Sequence, residues 1–178
     1  MIIPFEGGAL RPLHNDDKPA FTSLINDRNI WLQLTDGVAH PYTLAHADAF
    51  FARVDVVPPY VLAITTPVHG PGRTHQLVGL VGAHPMSDVE RDSAEIGYWI
   101  GTSFHGQALA TKALRAIIPY AFATLNRRRL QARVYEGNEA SMRVLEKCGF
   151  RREGLLRKAV VKNGRVLDLH MFGLLREE

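Results

Sequence analysis

The stretch from residue 95 to residue 135 constrains the fold more than any other part of the chain. Glu95 to Gly101 reads as a strand, Thr102 to Gly106 as a loop of mostly small residues, and Leu130 to Tyr135 as a second strand. Between them, from Gln107 to Leu125, apolar residues recur at 109, 110, 113, 114, 117, 118, 121, 122 and 125, close to the 3.6-residue period of a core-facing helix. Two strands joined through one long helix share a sheet only by a parallel crossover. Pro119 lies inside this helix, removes the amide that would bond the carbonyl of Arg115, and predicts a bend there.

The rest of the chain surrounds this unit with shorter elements. Ala9 to Leu13 reads as an opening strand, and Asp16 or Asp17 as the cap of a helix carrying Ala20, Phe21, Leu24 and Ile25. His40-Pro41-Tyr42-Thr43 is a turn with Thr43 as N-cap of a second helix through Ala49, Phe50 and Val54. Tyr60 to Thr65 and Gln76 to His84 are strands separated by PVHGPGRTH, whose Pro and Gly mark a hairpin loop. After the crossover come a short helix from Glu139 to Cys148, closed by Gly149, and two strands around the turn Lys162-Asn163-Gly164-Arg165. The predicted order is βααβββαβαββ, an α/β fold with a mixed, mostly antiparallel sheet flanked by helices. A chain of 178 residues, 46% of them apolar, fills one core, so a single domain over residues 1–178 is expected.

Composition removes several function classes. The one cysteine, Cys148, has no intrachain partner, and the eight histidines form no His-Glu-x-x-His motif, so neither a disulfide framework nor a metal site is expected. The N-terminus MIIPFEGG lacks a basic n-region, and no stretch reaches 18 apolar residues; a soluble, cytoplasmic protein without a membrane partner is the expectation. The net charge of +3 is uneven: residues 1–89 carry 5 Lys/Arg against 8 Asp/Glu, residues 90–178 carry 16 against 10. A basic second half suggests an anionic ligand there. Nucleic acid is disfavoured, because Arg127, Arg128, Arg129, Arg133, Arg151 and Arg152 have no aromatic residues interleaved for stacking.

The chemistry centres on the start of the long helix. A strand that runs through small residues straight into a helix brings unpaired amides and the positive end of the helix dipole to one point, an anion cradle. It is neither a Walker loop nor a dinucleotide fingerprint, since the required glycines and lysine are missing. Next to it in the predicted sheet stands Tyr135-Glu136-Gly137-Asn138-Glu139-Ala140-Ser141, followed by Glu146-Lys147-Cys148-Gly149-Phe150.

Strand, Gly/Ala loop, long helix, strand, Asn-x-x-Ser and Glu-Lys-Cys-Gly-Phe, in this order, resemble the GNAT N-acetyltransferase superfamily. Within it, His40-Pro41-Tyr42-Thr43, the strand Glu95 to Ile100 and the helix start Ala110-Thr111-Lys112-Ala113-Leu114 are similar to the ribosomal-protein alanine/serine N-acetyltransferase branch. The resemblance runs from Leu10 to Leu175. It implies acetyl-coenzyme A as cosubstrate, without a metal, its diphosphate on the loop of Gly106, Gln107, Ala108, Leu109, Ala110 and Thr111, and its pantetheine arm along Tyr98, Trp99 and Ile100. Two positions depart from the family loop: His105 stands where Gln, Arg or an aromatic is usual, and Ala108 replaces the central glycine. Ala108 is expected to adopt a helical φ, with its methyl group weakening diphosphate binding. Asn138 is expected to cap the short helix and, by the resemblance, to bond the pantetheine arm.

The reaction implied is direct attack of a primary amine on the thioester. Deprotonating the amine at pH 7 costs about 4.6 kcal/mol for a lysine-like group and about 1 kcal/mol for an α-amine. Glu95, at the start of the strand presenting the thioester, is the candidate base, directly or through a water. Ser141 is the candidate donor to the leaving thiolate, and backbone amides near Trp99 and Ile100 would meet the oxyanion. Trp31, Tyr42 and Phe104 are candidates for the acceptor pocket. Cys148 reads as a small core residue, and Asp168 as a structural residue pairing with a nearby arginine. The expected partner is an amine acceptor, a peptide or protein N-terminal α-amine, with small amines such as an antibiotic or amino acid as the alternative and a non-catalytic coenzyme A sensor as a third. A homodimer is left open.

Overall fold

The computed structural model describes residues 1–67 and 75–177. The eight strands are β1 (Ile3–Phe5), β2 (Gly8–Arg11), β3 (Val61–Pro67), β4 (His75–Pro85), β5 (Ser93–Ile100), β6 (Arg129–Tyr135), β7 (Arg151–Lys162) and β8 (Arg165–Leu175). They form one sheet in the order β1-β2-β3-β4-β5-β6-β8-β7. The helices are α1 (Lys18–Ile25), α2 (Arg28–Trp31), α3 (Leu44–Val54), α4 (Leu109–Ala123) and α5 (Glu139–Lys147). Every strand pair is antiparallel except β5 with β6, which the α4 crossover makes parallel.

The sheet is covered on both faces. Alternate residues of β5 point to opposite sides. Ala94, Ile96 and Ile100 pack with Leu114, Ile117 and Ala121 of α4 and with Leu145 of α5. Trp99 points the other way and packs with Phe21, Ile25, Tyr42 and Phe51 of the α1–α3 layer. Phe21 makes ring contacts with Tyr42, Phe50, Phe51 and Trp99 at 5.4–5.7 Å, an aromatic cluster that binds the early helices to the middle of the sheet.

Several elements differ from the expectation. The sheet has one strand more, β1, because Gly7 at φ +84° lets the N-terminus fold back as a hairpin on β2. A third early helix, the single turn α2, is present because Asp27 caps it, its side chain accepting from the Asn29 amide at 2.7 Å. Asp17 heads α1 without capping it. Its carboxylate is taken instead by Arg11 through two 2.7 Å bonds and by the His14 amide. Thr43 does cap α3, in a box closed by His46 Nδ1. The α4 helix starts at Leu109, two residues later than expected, and runs unbroken through Pro119. Gly149 (φ +89°) closes α5, and Asn163 (φ 49°) and Gly164 (φ +74°) make the β7–β8 turn. Asp168 accepts from the amide of Lys158 in the β7 bulge rather than from an arginine. Of the expected loop between β3 and β4, residues 68–74 lie outside the described residues.

Candidate active site

The site is a consequence of where the sheet stops being continuous. β5 and β6 pair only through Ser93–Arg129, Ala94–Leu130 and Glu95–Gln131. Beyond Glu95 the two strands diverge, β5 staying with β4 and β6 with β8. Residues 96–100 therefore present a strand edge with no strand on the β6 side, an opening suited to an extended ligand that adds to it like a strand.

The C-terminal end of that edge leads into the helix start. Gly106 (φ +79°) and Ala108 (φ +56°) are both left-handed, and the first helical bond is from Lys112 N to the carbonyl of Ala108. The amides of Leu109, Ala110 and Thr111 consequently have no acceptor within the helix, and these three residues line the cleft at its positive end. Ala108 is thus not helical, as its propensity suggested, but occupies the αL position at which a glycine is relaxed. The loop is held by His105, whose Nε2 bonds the carbonyl of Ile100 at 2.9 Å, so the departure from the family at 105 supplies a clasp between strand end and loop.

Two cavities flank this edge. The first, of about 490 Å³, is lined by Tyr98, Trp99, Ile100, Phe104, the loop 105–111 except Gln107, and Asn138, Ser141, Arg143 and Lys147. It contains every expected cofactor-binding residue but Gln107. The second, of about 360 Å³ on the α1–α3 face, is lined by Phe21, Tyr42, His46, Phe50, Arg53, His84, Gly97 and Trp99, among others. The two share Leu34, Tyr98 and Trp99, so they meet across the open edge of β5. Of the three residues expected at the acceptor, Tyr42 lines the second cavity and Phe104 the first. Trp31 lines neither: its indole N–H donates to the Val38 carbonyl at 2.9 Å, and its ring lies under the Lys162 ammonium, 3.9 Å away. Lys162, on β7, is 3% exposed and also reaches Asp36 at 2.8 Å, fastening the α2–α3 connection to the end of β7.

At the junction, Tyr98 Oη lies 2.9 Å from Ser141 Oγ. Burial pushes the Tyr98 phenol well above its ordinary value, beyond what its bond to Ser141 offsets, so it remains a neutral donor. Asn138 Oδ1 accepts from the Ser141 amide at 3.2 Å, which fulfils the capping role and leaves the amide NH2 group in the cleft. Glu95 lines neither cavity. It is half-buried on the Gly97 and Trp99 side of β5, where burial raises its carboxyl pKa and Arg133 opposes part of that rise. Across the β4–β5 ladder Glu95 is in register with His84.

His84 is a residue that pattern reading overlooked, because a histidine near a strand end carries no spacing signal. Its ring lines the second cavity, edge-on to Tyr60 at 5.4 Å; the residue is open to solvent on its outer side, while desolvation on the cavity side and then the charge of Arg53 lower its pKa. Cys148 donates to the Thr111 carbonyl at 3.5 Å and its thiol pKa is raised by burial, the opposite of an activated nucleophile. Of the arginine cluster, Arg129 pairs with Glu153 and Arg127 donates to the carbonyls of Leu125 and Arg91. No helix among the described residues is long and apolar enough to cross a membrane.

A family model described as an acetyltransferase (GNAT) domain matches residues 9–151. The chain belongs to the GNAT acetyltransferases. One relative, the putative ribosomal N-acetyltransferase YdaF of Bacillus subtilis (strain 168), is 40% identical over 102 residues, 57% of this chain and 55% of that protein. The chain thus matches a little over half the length of the curated relatives. Among solved GNAT structures, RimL, a ribosomal L7/L12 α-N-protein acetyltransferase in complex with coenzyme A, superposes with a TM-score of 0.80 at 21% identity over 98% of both chains. Spermidine N-acetyltransferase from Vibrio cholerae, in complex with coenzyme A and spermine, gives 0.79 at 23% over 97% of both. At such identities the likeness is one of fold.

Proposed function

We propose that this cytoplasmic GNAT protein transfers an acetyl group from acetyl-coenzyme A to the α-amine of a peptide or protein N-terminus. The observation that carries the reading is the meeting of two cavities at Tyr98 and Trp99, one floored by free helix amides and the other apolar and aromatic. In the first, the amides of Leu109, Ala110 and Thr111 would hold the diphosphate. The β5 edge would hold the pantetheine arm, with Asn138 reaching it from α5. Arg143 and Lys147 stand at the same cleft as further cations. When bound, acetyl-coenzyme A supplies the thioester; the chain places it at the seam and brings the amine from the opposite side.

The second cavity favours an α-amine over a polyamine. None of its lining residues is an Asp or Glu, while Arg53 is a cation on its wall. A polycation would lose hydration there without gaining a partner. An α-amine costs about 1 kcal/mol to deprotonate at pH 7, within reach of one modest base. Glu95 is the carboxylate behind this cavity and would act through an intervening group, since it does not line the space. Its raised pKa brings it nearer to the operating pH, which favours a general base. Ser141, polarised by the neutral Tyr98 hydroxyl, would donate to the departing thiolate, and backbone amides near Trp99 and Ile100 would meet the oxyanion.

Release of free coenzyme A thiol, followed with Ser- and Ala-led peptides, spermidine and free amino acids as acceptors, tests the reading. Turnover with the peptides above that with spermidine is expected. Turnover with spermidine alone would replace the acceptor class, and saturable binding with no thiol release would leave a coenzyme sensor. Glu95→Gln should lower kcat without changing acetyl-coenzyme A affinity.

A further inference from the structure

We infer that His84 is the group that takes the proton from the attacking amine, a proposal that rests on the acetyl-transfer reading above. His84 lies on β4 in register with Glu95 on β5, and its ring enters the acceptor cavity where Glu95 does not. Neighbouring positions clear its way. A β-carbon at residue 82 would sit 2.7 Å from His84 Nε2, and one at residue 97 would sit 3.9 Å away, so Gly82 and Gly97 leave both the ring and the space in front of it open. Gly97 is one residue from Tyr98, where the two cavities meet, which puts the imidazole on the path of an amine approaching the thioester.

The ring is also chemically free. Its ring meets the Tyr60 ring edge-on and feels the charge of Arg53, and no hydrogen bond to either ring nitrogen is formed among the described residues. The residue is open to solvent, so both nitrogens are accessible to water and to an arriving amine. The groups facing it are Arg53 from α3, Tyr60 from the segment before β3, Glu95 from β5, and Tyr42 and His46 across the same cavity. Desolvation and then the charge of Arg53 disfavour the imidazolium before the amine arrives; Glu95, in register on the next strand, would stabilise it once formed.

The proton count closes. The ammonium gives one proton to His84, and the freed nitrogen lone pair forms the N–C bond to the thioester carbonyl. The C–S bond then breaks with its electron pair on sulfur. The second nitrogen proton goes to the thiolate, and His84 returns its own to solvent through the cavity mouth.

His84→Asn should lower kcat with a Ser-led peptide about 100-fold at saturating acetyl-coenzyme A, with the dissociation constant of the cosubstrate by calorimetry unchanged, and should remove the acid limb of the kcat profile below about pH 6.5. In His84→Ala, free imidazole should restore part of the lost rate. An unchanged kcat, or a lowered kcat that keeps the acid limb and is not restored by imidazole, overturns the assignment. So does a Glu95→Gln variant that loses the acid limb while His84→Asn keeps it. Absence of thiol release by the unaltered protein with every acceptor is a different result, which removes the transfer reading itself.

Discussion

Tyr98 Oη lies within hydrogen-bond distance of two atoms of one residue, Ser141 Oγ at 2.9 Å and the Ser141 carbonyl at 3.1 Å. A neutral phenol has a single proton to give. When it donates to Oγ, the serine proton is free for another acceptor; when it donates to the carbonyl, the serine can donate back to the tyrosine oxygen. In the proposed reaction, the pair would set how much help the leaving thiolate receives.

Both Ser141→Ala and Tyr98→Phe should lower kcat, each by roughly tenfold, because a leaving thiol of pKa ~8.5 needs only modest stabilisation. Glu95→Gln should cost more than either. Steady-state kcat at saturating acetyl-coenzyme A ranks the three, and a larger loss in Ser141→Ala than in Glu95→Gln would exchange their importance.

At Ala108 the left-handed φ of 56° makes a clear stability test. A β-carbon in that region costs roughly 1–2 kcal/mol relative to glycine, partly offset by the greater unfolded-state entropy of glycine. Ala108→Gly should raise Tm by about 2–4 °C, as expected for a gain near 1 kcal/mol at this chain length. Acetyl-coenzyme A affinity should hold or improve. A fall in Tm by scanning calorimetry would mean that the position is relaxed with its methyl group in place.

The crossover was legible because its signals are local: a 3.6-residue apolar period, a loop of small residues and strands on either side. So were Thr43 and Asn138 as caps, since a cap acts within three residues of itself. The β1 hairpin was missed because three residues, one of them Pro4, carry no strand period. The conformation of Ala108 escaped because propensity ranks a residue for a helix interior, while the chain must turn sharply between Gly106 and Leu109. Trp31 looked like a ligand contact by residue type; only the fold shows it held by Val38, His40 and Lys162. His84 became visible when the β4–β5 register set it beside Glu95 and two glycines uncovered it.

Asp17 gives a pH test of stability. Burial works to raise its carboxyl pKa, but the Arg11 guanidinium and the His14 amide outweigh that and hold it below the ordinary 3.8. A carboxylate with a lowered folded pKa contributes stability that is complete above its unfolded value and is lost as pH falls through the folded one. Asp17→Asn should therefore be less stable than the parent by about 2 kcal/mol at pH 7, with the gap closing below about pH 4. Urea midpoints at pH 7 and pH 3 check this; an equal gap at both would take the ion pair out of the account.

Gly97 separates the two cavities experimentally. It lines the cavity on the α1–α3 side of β5, and a β-carbon built on it meets nothing closer than His84 Nε2 at 3.9 Å, which is ordinary contact. Its backbone carries no positive φ, so a larger residue is accepted without strain. Gly97→Leu would fill the space in front of His84 and Trp99 while leaving the free amides of Leu109, Ala110 and Thr111 untouched. The expected result is at least a tenfold loss in kcat/KM for the peptide acceptor, against an acetyl-coenzyme A dissociation constant that moves less than about twofold, a difference of at most 0.4 kcal/mol in binding. Calorimetry with the cosubstrate and thiol release with the peptide measure the two arms on one preparation. If cosubstrate affinity falls as far as acceptor turnover, the donor enters from the α1–α3 side and the assignment of the two cavities is reversed.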